Sequence, residues 1–244
     1  MFRLCVIGDP VSHSRSPAIH SALLAQRGLE GSYQAVTVRP EELAAFVALA
    51  RQGAYDGFNV TMPHKQTILP LLDSVEQDAA AMGAVNTVVV RQGQMTGYNT
   101  DGPGFVKSLP FAAEGKRALV LGSGGAASAV CRALVRAGAE VTVCCRHPEK
   151  TRGWGVTARL WNTLPQAAAQ CELLVNATPL GMTGQEPFAD LRFLDACRGW
   201  VYDLVYEPRE TALLAAARQR GLPVIGGLAL LQAQAELAFA LFVA

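Results

Sequence analysis

The sequence of 244 residues predicts an α/β fold with two domains, an N-terminal α/β domain and a C-terminal domain built on a doubly wound, mostly parallel sheet. The first observation behind this prediction is that short apolar strands alternate with helical segments along the chain. The second is the apolar run 117–121, whose continuity is typical of a parallel strand that is covered on both faces. The third is a glycine-rich turn directly after that run, at the start of a helical segment.

The first half of the chain reads as strands and helices that are separated by turn residues. Gly8-Asp9-Pro10 ends the first strand, Pro17 suits the first turn of a helix, and Asn99-Thr100-Asp101-Gly102 has the chemistry of a turn that opens a helix. The predicted strands are 4–7, 33–38, 57–61 and 85–90, and the predicted helices are 17–27, 40–51 and 77–82. We place a first domain at residues 1–102.

The second half has the clearer alternation of strands and helices. The predicted strands are 117–121, 140–145, 173–176, 200–204 and 223–225, and the clearest helices are 126–137 and 210–220. Gly138 follows the first of these helices and is suited to end it. We place a second, Rossmann-like domain at 103–226 and expect the last helix, within 227–244, to return to the first domain.

Charge and composition exclude several classes of function. Lys and Arg total 21 against 20 Asp and Glu, so the formal net charge is +1 and no basic field exists that would hold nucleic acid or an anionic membrane. Hydrophobic residues make up 50% of the chain, which excludes disorder as its main state. We therefore expect a small-molecule substrate in a local site, no nucleic-acid or membrane partner, and a monomer or homodimer.

The cysteines and histidines do not indicate a metal site. None of the six cysteines lies in a Cys-x-x-Cys pair, and the four histidines form no ligand cluster. We interpret the cysteines as small buried side chains in a reducing compartment. The N-terminus has no apolar segment followed by a small-residue cleavage site, so we expect a cytoplasmic protein.

The C-terminal segment 222–244 is long and apolar, but polar residues interrupt it, so we do not interpret it as a membrane span. We interpret it as a strand, a glycine turn and a buried helix on which Leu230, Leu237 and Leu241 share a face. Gln234 falls on that same apolar face. A buried amide must find a partner, so Gln234 either bonds a neighbouring backbone group or contacts a ligand.

The turn Gly122-Ser123-Gly124-Gly125-Ala126-Ala127 matches the Gly-x-Gly-x-x-Gly/Ala pattern that binds the pyrophosphate of a dinucleotide. It follows a predicted strand and begins a predicted helix, as this pattern requires. The end of the next strand, where NAD-binding proteins carry Asp or Glu, has Cys145-Arg146-His147, and Lys150 follows. Because Arg146 can bind a 2′-phosphate with its guanidinium group, the sequence favours NADP over NAD.

Polar residues concentrate in the turns of the first half, in a chain that has few charges. The set comprises Ser14, Ser16, Asn59, Thr61, Lys65, Asn86, Asn99 and Asp101. Hydroxyl and amide groups suit a ligand with several hydroxyls, and a lysine beside an aspartate suits proton transfer to a ketone or from an alcohol. Together with a dinucleotide-binding domain, this set predicts a substrate site.

Six motifs occur in order along essentially the whole chain. They are Gly8-x-Pro10-x-x-His13-Ser14-x-Ser16-Pro17-x-x-His20, Asn59-Val60-Thr61-x-Pro63-x-Lys65, Gly83-Ala84-Val85-Asn86-Thr87, Asn99-Thr100-Asp101-Gly102, Asn176-Ala177-Thr178-Pro179 and Tyr202-Asp203-Leu204-Val205-Tyr206. This set resembles the shikimate dehydrogenase family. The resemblance implies reversible reduction of 3-dehydroshikimate to shikimate with NADPH, a step of chorismate and aromatic amino-acid synthesis.

By position, the resemblance implies that Lys65 and Asp101 are the catalytic pair and that Ser14 and Ser16 hold the substrate carboxylate. Lys65 would give a proton to the new alcohol and take it back in the reverse reaction. With the polar set and the basic loop added, the expected substrate-binding residues are Ser14, Ser16, Asn59, Thr61, Lys65, Asn86, Asp101, Tyr206 and Gln234. The expected cofactor-binding residues are Gly122, Ser123, Gly124, Gly125, Ala126, Arg146, Lys150, Leu204 and Gly227.

The chain departs from the family in the nucleotide domain. Cys145 and His147 stand where the family commonly has Asn and Thr beside the arginine, which changes the expected contacts with the 2′-phosphate. The segment 146–164 is short, so we expect a reduced helix there.

Three alternative functions fit parts of the pattern. The first is a quinate/shikimate dehydrogenase that uses NAD, and the lack of an acid after Val143 argues against it. The second is a non-catalytic ligand sensor, which would need neither Lys65 nor Asp101. The third is a methyltransferase with a Rossmann fold, which does not explain Arg146 or the motifs of the first half.

Overall fold

The computed structural model describes all 244 residues, Met1–Ala244, and the predicted α/β class is confirmed. The chain divides into two compact units. Unit 1 comprises Met1–Asp101 and Gln234–Ala244, and unit 2 comprises Gly102–Ala233. The return to unit 1 lies seven residues beyond the expected residue 227, because Ala229 and Leu230 pack on the core of unit 2.

Unit 1 is built on a mixed sheet of six strands in the order β2-β1-β3-β5-β6-β4. Its strands are β1 (Phe2–Gly8), β2 (Gly31–Thr37), β3 (Gly57–Val60), β4 (Ser74–Val75), β5 (Thr87–Arg91) and β6 (Gln94–Tyr98). Its helices are α1 (Ser16–Gln26), α2 (Leu43–Leu49), α3 (His64–Thr67) and α4 (Gln77–Met82). Strand β1 is parallel to β2 and β3, β5 is antiparallel to β3 and β6, and β4 is parallel to β6.

The hairpin of β5 and β6 is only half predicted by the sequence, because the pattern misses β6. This strand begins with a polar residue and is interrupted by Gly97, which weakens its apolar alternation. The turn residues Gln92 and Gly93 both have positive φ angles, 51° and 78°, as a tight hairpin requires. Gly97 has a packing role, since a Cβ there would lie 2.5 Å from Leu72 Cδ1.

The two faces of the unit 1 sheet bury alternate residues of β1. Leu4 and Val6 pack into one apolar cluster, and Cys5 and Ile7 pack into the other. Cys5 is one of six cysteines that are all free and buried, which confirms their interpretation as small core side chains. The β1 strand is therefore a central strand that is covered on both sides.

Unit 2 contains a parallel sheet of six strands in the order β9-β8-β7-β10-β11-β12. The strands are β7 (Arg117–Leu121), β8 (Glu140–Cys145), β9 (Thr157–Leu160), β10 (Leu173–Asn176), β11 (Trp200–Asp203) and β12 (Val224–Gly226). Its helices are α5 (Asp101–Lys107), which begins at the last residue of the first segment of unit 1, α6 (Gly125–Arg136), α7 (Leu164–Ala168) and α8 (Ala212–Gln219). Helix α9 (Leu228–Val243) begins in unit 2 and continues into unit 1 from Gln234. This is the 3-2-1-4-5-6 order of a Rossmann fold, and the order reverses between β7 and β10.

Strand β7 has the continuous apolar character that the sequence analysis interpreted as burial on both faces. Ala118 and Val120 pack into one cluster of unit 2, and Leu119 and Leu121 pack into the other. Both clusters are covered by helices, so no polar face is needed. The prediction of a doubly wound sheet is confirmed by this arrangement.

Between β8 and β9 the chain forms a 3₁₀ turn, Pro148–Thr151, instead of a crossover α-helix. This agrees with the reduced helix that the short 146–164 segment predicts. Across the structure, no helix combines the length and apolar character that a membrane crossing needs.

The buried face of α9 differs from the predicted one. Its buried large side chains are Phe239 and Phe242, whereas Leu230, Leu237 and Leu241 are only partly buried. The helix is apolar almost all round, so the spacing of its leucines does not select the face that packs. The packing is decided by the sheet, where Gly57 leaves room for the ring of Phe242: a Cβ on Gly57 would lie 2.5 Å from Phe242 Cδ1.

We predict that Phe242→Ala lowers the free energy of unfolding by about 3 to 5 kcal/mol, because it empties a fully buried site between α9 and β3. Urea denaturation measures the change. Leu49→Ala, at a side chain that is 56% exposed, is the control and should change stability by less than about 0.5 kcal/mol. Equal effects of the two substitutions would contradict this packing.

A second prediction concerns His20, which is fully buried and stacks on Tyr33 with ring centroids 4.2 Å apart. Burial lowers the pKa of its imidazole from 6.5 to about 4. The unfolded chain therefore binds a proton first as pH falls, so the folded state loses about 3 kcal/mol between pH 6.5 and 4. Denaturation midpoints measured as a function of pH should show this loss of stability. The His20→Leu variant should lack the pH-dependent loss, whereas His147→Leu, at an exposed histidine, should show the same loss as the wild type.

Candidate active site

The turn after β3 carries two of the predicted site residues, Thr61 and Lys65. The backbone N–H of Thr61 donates to Ile7 O at 2.9 Å, which extends the pairing of β3 with β1 by one residue. The N–H of His64 then donates to Thr61 O at 2.9 Å and closes a turn that leads into α3. Lys65 is therefore held on a short helix directly beyond the end of the sheet.

A second turn, between β6 and α5, presents Asp101. Asn99 shapes it, since its Oδ1 accepts from Asp101 N at 3.0 Å and its Nδ2 donates to Ala84 O at 2.9 Å. The Ala84 segment is in turn tied to the lysine, because Val85 N donates to Lys65 O at 2.8 Å. Backbone hydrogen bonds thus bring two segments that are 36 residues apart in sequence to the same place.

Lys65 and Asp101 form an ion pair, with Lys65 Nζ 2.6 Å from Asp101 Oδ2. Their side chains are 31% and 26% exposed, so the pair is partly desolvated and still open to a ligand. A charge-assisted hydrogen bond of this length holds the ammonium group at a defined position. The pairing of lysine and aspartate that the sequence analysis proposed is present in the structure.

Asn86 supports the other oxygen of Asp101. Its Nδ2 donates to Asp101 Oδ1 at 2.8 Å and to Thr100 Oγ1 at 3.0 Å, and its Oδ1 accepts from Thr100 N at 2.8 Å and from Thr87 Oγ1 at 3.0 Å. All four hydrogen-bonding positions of the amide are therefore used. Asn86 is buried, and its clearest role in the structure is to orient the Asp101 carboxylate.

The two serines lie at the start of α1. Ser14 Oγ accepts from Ser16 N at 3.2 Å, and Ser16 is the first residue of the helix. Ser14 is partly exposed, and Ser16 is mostly buried, with 9% of its surface exposed. Ser16 also hydrogen-bonds the Tyr33 hydroxyl, which opposes the rise that burial causes in the Tyr33 pKa.

Asn59, which is predicted to bind the substrate, is hydrogen-bonded to other residues of unit 1 in the structure. Its Oδ1 accepts from Tyr33 OH at 2.7 Å, and its Nδ2 donates to Asn86 O and to Thr87 Oγ1, both at 3.0 Å. Because the side chain is buried and its amide protons are both used, it supports the residues around it.

The remaining predicted substrate residues have separate positions in the chain. Thr61 is partly exposed beside Lys65. Gln234 belongs to unit 1, and its Oε1 accepts from Thr100 Oγ1 at 3.4 Å. One hydrogen-bond partner of Gln234 is thus a side-chain hydroxyl, in addition to the backbone group or ligand that the sequence leaves open. Tyr206 follows β11 in unit 2 and is 36% exposed.

Unit 2 has a cleft of about 1010 Å³ at the carboxyl ends of its strands, where the strand order reverses. Its lining includes five of the nine residues predicted to bind the cofactor, namely Gly122, Ser123, Gly124, Arg146 and Lys150. Gly122 has a φ of 113°, and a Cβ there would lie 3.0 Å from Thr178 Cγ2. No other atom would lie within 4 Å of a Cβ at Gly124, so this glycine leaves its backbone open to a ligand.

The basic side of this cleft has the features that a phosphate requires. Arg146 follows the last residue of β8, is exposed, and has no carboxylate within ion-pair distance. Lys150 lies on the same side of the cleft, and no acidic residue ends β8. The cleft therefore fits a dinucleotide that carries an additional phosphate on its ribose.

The other four predicted cofactor residues do not line this cleft. Gly125 and Ala126 form the exposed first turn of α6, next to the cleft. Leu204 and Gly227 follow β11 and β12, further along the sheet, and touch each other: a Cβ on Gly227 would lie 2.3 Å from Leu204 O. The cleft alone thus accounts for only part of the predicted cofactor set.

Sequence reasoning missed the aromatic wall of the cleft. Trp161 and Phe188 line it with rings stacked 6.4 Å apart, and Phe193 contacts Phe188. Trp161 follows β9, a strand that the sequence analysis did not identify, so nothing in its pattern linked it to the glycine turn. Thr178, after β10, was quoted only as part of a motif and also lines the cleft.

Comparison with known proteins agrees with both halves of the chain. The family model for the shikimate dehydrogenase substrate binding domain matches residues 6–88. The NADP(+)-dependent shikimate dehydrogenase of Acidiphilium cryptum is 44% identical over 246 residues, covering 96% of this chain and 88% of that protein. The corresponding enzyme of Moorella thermoacetica is 42% identical over 98% of this chain and 87% of that protein.

A solved structure resembles the whole chain. It is the shikimate 5-dehydrogenase of Thermus thermophilus in complex with NADP(H) and shikimate, with a TM-score of 0.88 and 40% identity over 99% of this chain and 93% of that chain. Identity above 40% over nearly the full length with curated dehydrogenases extends this similarity from fold to sequence. The chain therefore belongs to the shikimate dehydrogenase family.

Proposed function

We propose that this protein catalyses the reversible reduction of 3-dehydroshikimate to shikimate with NADPH. The observation that carries the proposal is the Lys65–Asp101 pair, in which a partly exposed ammonium group is held 2.6 Å from a carboxylate oxygen. A ketone that becomes an alcohol needs a proton at its oxygen, and a positioned ammonium group supplies one. The relatives named above act on shikimate with NADP, which supports this assignment.

The residues of unit 1 divide the work of binding and proton transfer. Lys65 donates its proton to the carbonyl oxygen of the substrate during reduction, and the neutral amine takes a proton from the alcohol during oxidation. Asp101 holds the lysine and accepts a hydrogen bond from a substrate hydroxyl. Ser14 and Ser16, at the start of α1, bind the carboxylate, and Thr61 and Gln234 bind further hydroxyls of the ring.

The cleft of unit 2 is the part of the chain that would hold NADP. When bound there, the reduced nicotinamide supplies the hydride for the ketone carbon. Backbone N–H groups at Gly122–Gly124 and the first turn of α6 would bind the pyrophosphate. Arg146 and Lys150 would bind the 2′-phosphate, and Leu204 and Gly227, which follow β11 and β12, would contact the nicotinamide half.

The end of β8 favours NADP over NAD. A carboxylate at this point would repel a 2′-phosphate, and Arg146 attracts it. The quinate dehydrogenase of Corynebacterium glutamicum in complex with NAD also resembles this chain, with 32% identity over 99% of this chain and 93% of that chain and a TM-score of 0.87. Because the overall fold does not separate the two cofactors, we place the choice of cofactor in the loop after β8. We further propose a reducing, cytoplasmic location, which six free and buried cysteines support.

We predict that Lys65→Met lowers kcat for 3-dehydroshikimate reduction by a factor of about 100 to 10,000, the range expected when a general acid is removed. Substrate binding should survive, because the serines and the remaining polar residues are unchanged. Steady-state rates measure kcat, and calorimetry with shikimate measures binding. A Lys107→Met variant, at an exposed lysine outside the site, serves as the control. A kcat of Lys65→Met close to that of the wild type would contradict the assignment of Lys65 as the proton donor.

We also predict that Arg146→Gln raises KM for NADPH by about 10- to 100-fold, because one charge-assisted hydrogen bond contributes about 1.5 to 3 kcal/mol. KM for NADH should change by less than about twofold, since NADH has no 2′-phosphate. Initial rates with both cofactors decide the question. Arg152→Gln removes an exposed arginine of the same loop that does not line the cleft, and it should leave both values unchanged. Equal losses with NADPH and NADH would show that Arg146 does not read the 2′-phosphate.

A further inference from the structure

A chain of hydrogen bonds leads through buried residues of unit 1 to the Lys65–Asp101 pair. It begins at Tyr33, whose hydroxyl donates to Asn59 Oδ1 at 2.7 Å. Burial raises the pKa of the Tyr33 hydroxyl well above its usual value, so the group keeps its proton and acts as a donor. His20 stacks on the tyrosine ring with an interplanar angle of 3° and fixes the plane of that ring.

The direction of the next bond is set by the backbone. Asn59 Nδ2 lies 3.0 Å from Asn86 O, a carbonyl that can only accept, so the amide of Asn59 cannot be turned round. Its second N–H then donates to Thr87 Oγ1 at 3.0 Å. Thr87 has a single hydroxyl proton, and since Thr87 accepts from Asn59, that proton is available to donate onward.

The proton of Thr87 goes to Asn86 Oδ1, at 3.0 Å. The same oxygen accepts from Thr100 N at 2.8 Å, so both of its acceptor positions are filled and Asn86 Nδ2 must face Asp101. The hydroxyl oxygen of Thr100 lies 3.2 Å from Asn86 Oδ1 and 3.4 Å from Gln234 Oε1. Because Thr87 already donates to Asn86 Oδ1, the Thr100 hydroxyl donates to Gln234 Oε1.

We propose that Thr87 is a positioning residue for the proposed reaction. Its hydroxyl joins Tyr33 and Asn59 to Asn86, so that Asn86 holds Asp101 and Lys65 while the Thr100 hydroxyl remains with Gln234. The proposal rests on the function proposed above. It assigns a role to a fully buried side chain that no ligand contact would reveal. It also explains why the polar groups of this hydrogen-bonded chain are buried, namely Tyr33, Asn59, Asn86, Thr87 and Thr100.

Substitutions of Thr87 separate its hydroxyl from its shape. Thr87→Val has nearly the same volume and no hydroxyl, and Thr87→Ser keeps the hydroxyl and loses a methyl group. Without the hydroxyl, the Thr100 proton moves to Asn86 Oδ1 and leaves Gln234, while Asn59 Nδ2 loses an acceptor. We expect kcat of Thr87→Val to fall about tenfold with KM for NADPH unchanged, and kcat of Thr87→Ser to stay within about twofold of the wild type.

The pH dependence of kcat gives a readout that a purely structural role would not move. Because Asp101 and the Lys65 ammonium group are held less firmly without the Thr87 hydroxyl, the pH dependence of kcat in Thr87→Val should differ from that of the wild type. Thr96→Val, at a threonine of β6 whose hydroxyl pairs with Ser74 on the exposed side of unit 1, is the matched control. Its kcat and pH profile should equal those of the wild type.

Crystal structures of the full-length variants test the geometry without any assay. In Thr87→Val the Thr100 hydroxyl should face Asn86 Oδ1 and the contact with Gln234 should be lost, whereas Thr87→Ser should keep it. Tyr33→Phe, which removes the first donor, gives a second route if Thr87→Val does not fold and should lower kcat about threefold. Unchanged kcat and pH profile in Thr87→Val, or equal losses in Thr87→Val and Thr87→Ser, would overturn the proposal.

These results are distinct from a failure of the proposed function. If the wild-type protein did not reduce 3-dehydroshikimate, the proposed function would fail while the crystal structures still decided whether Thr87 orients Asn86. If the wild type were active and Thr87→Val had wild-type kcat and Thr100 geometry, the function would stand and the role of Thr87 would be wrong.

Discussion

A buried amide must satisfy four hydrogen-bonding positions at once, and Asn86 does this with partners from different parts of unit 1. Its partners come from β5 and from the turn before α5, and its backbone carbonyl accepts from Asn59 of β3. Asn86 holds one oxygen of the Asp101 carboxylate, and the other oxygen of that carboxylate holds the ammonium group of Lys65. The substrate half of the chain is thus organised around one fully bonded asparagine.

The cofactor half depends on a different constraint, the order of parallel strands. Because the order reverses between β7 and β10, the loops after these strands separate and leave a cleft. The glycine turn fits there because Gly122 takes a positive φ angle beside Thr178, and a residue with a Cβ would be strained. Behind the cleft, buried Asp203 accepts from Asn176 and Thr211 and stiffens the ends of β10 and β11, and burial raises its pKa.

The two halves differ in how their polar residues work. In unit 1, half of the predicted polar set is buried, and the other half is partly exposed where a ligand can bind. In unit 2, Arg146 and Lys150 are exposed and their charges lack partners in the cleft, as expected of groups that receive a phosphate. A low total of charged residues is therefore compatible with two anionic ligands, because the charges that remain are placed locally.

The sequence by itself determined the α/β class, the parallel sheet of unit 2 and the glycine turn, and it predicted Lys65, Asp101 and Arg146 as site residues, since each depends on local pattern or on a motif with a defined chemistry. Only the tertiary structure decided that Asn59 is a support, that Thr87 links it to Asn86, and that Trp161 lines the cleft. Strand β6 and the buried face of α9 were likewise decided by packing, against Leu72 and Gly57. The physical reason is that hydrogen-bond partners and packing neighbours lie far apart in sequence, and no local pattern contains them.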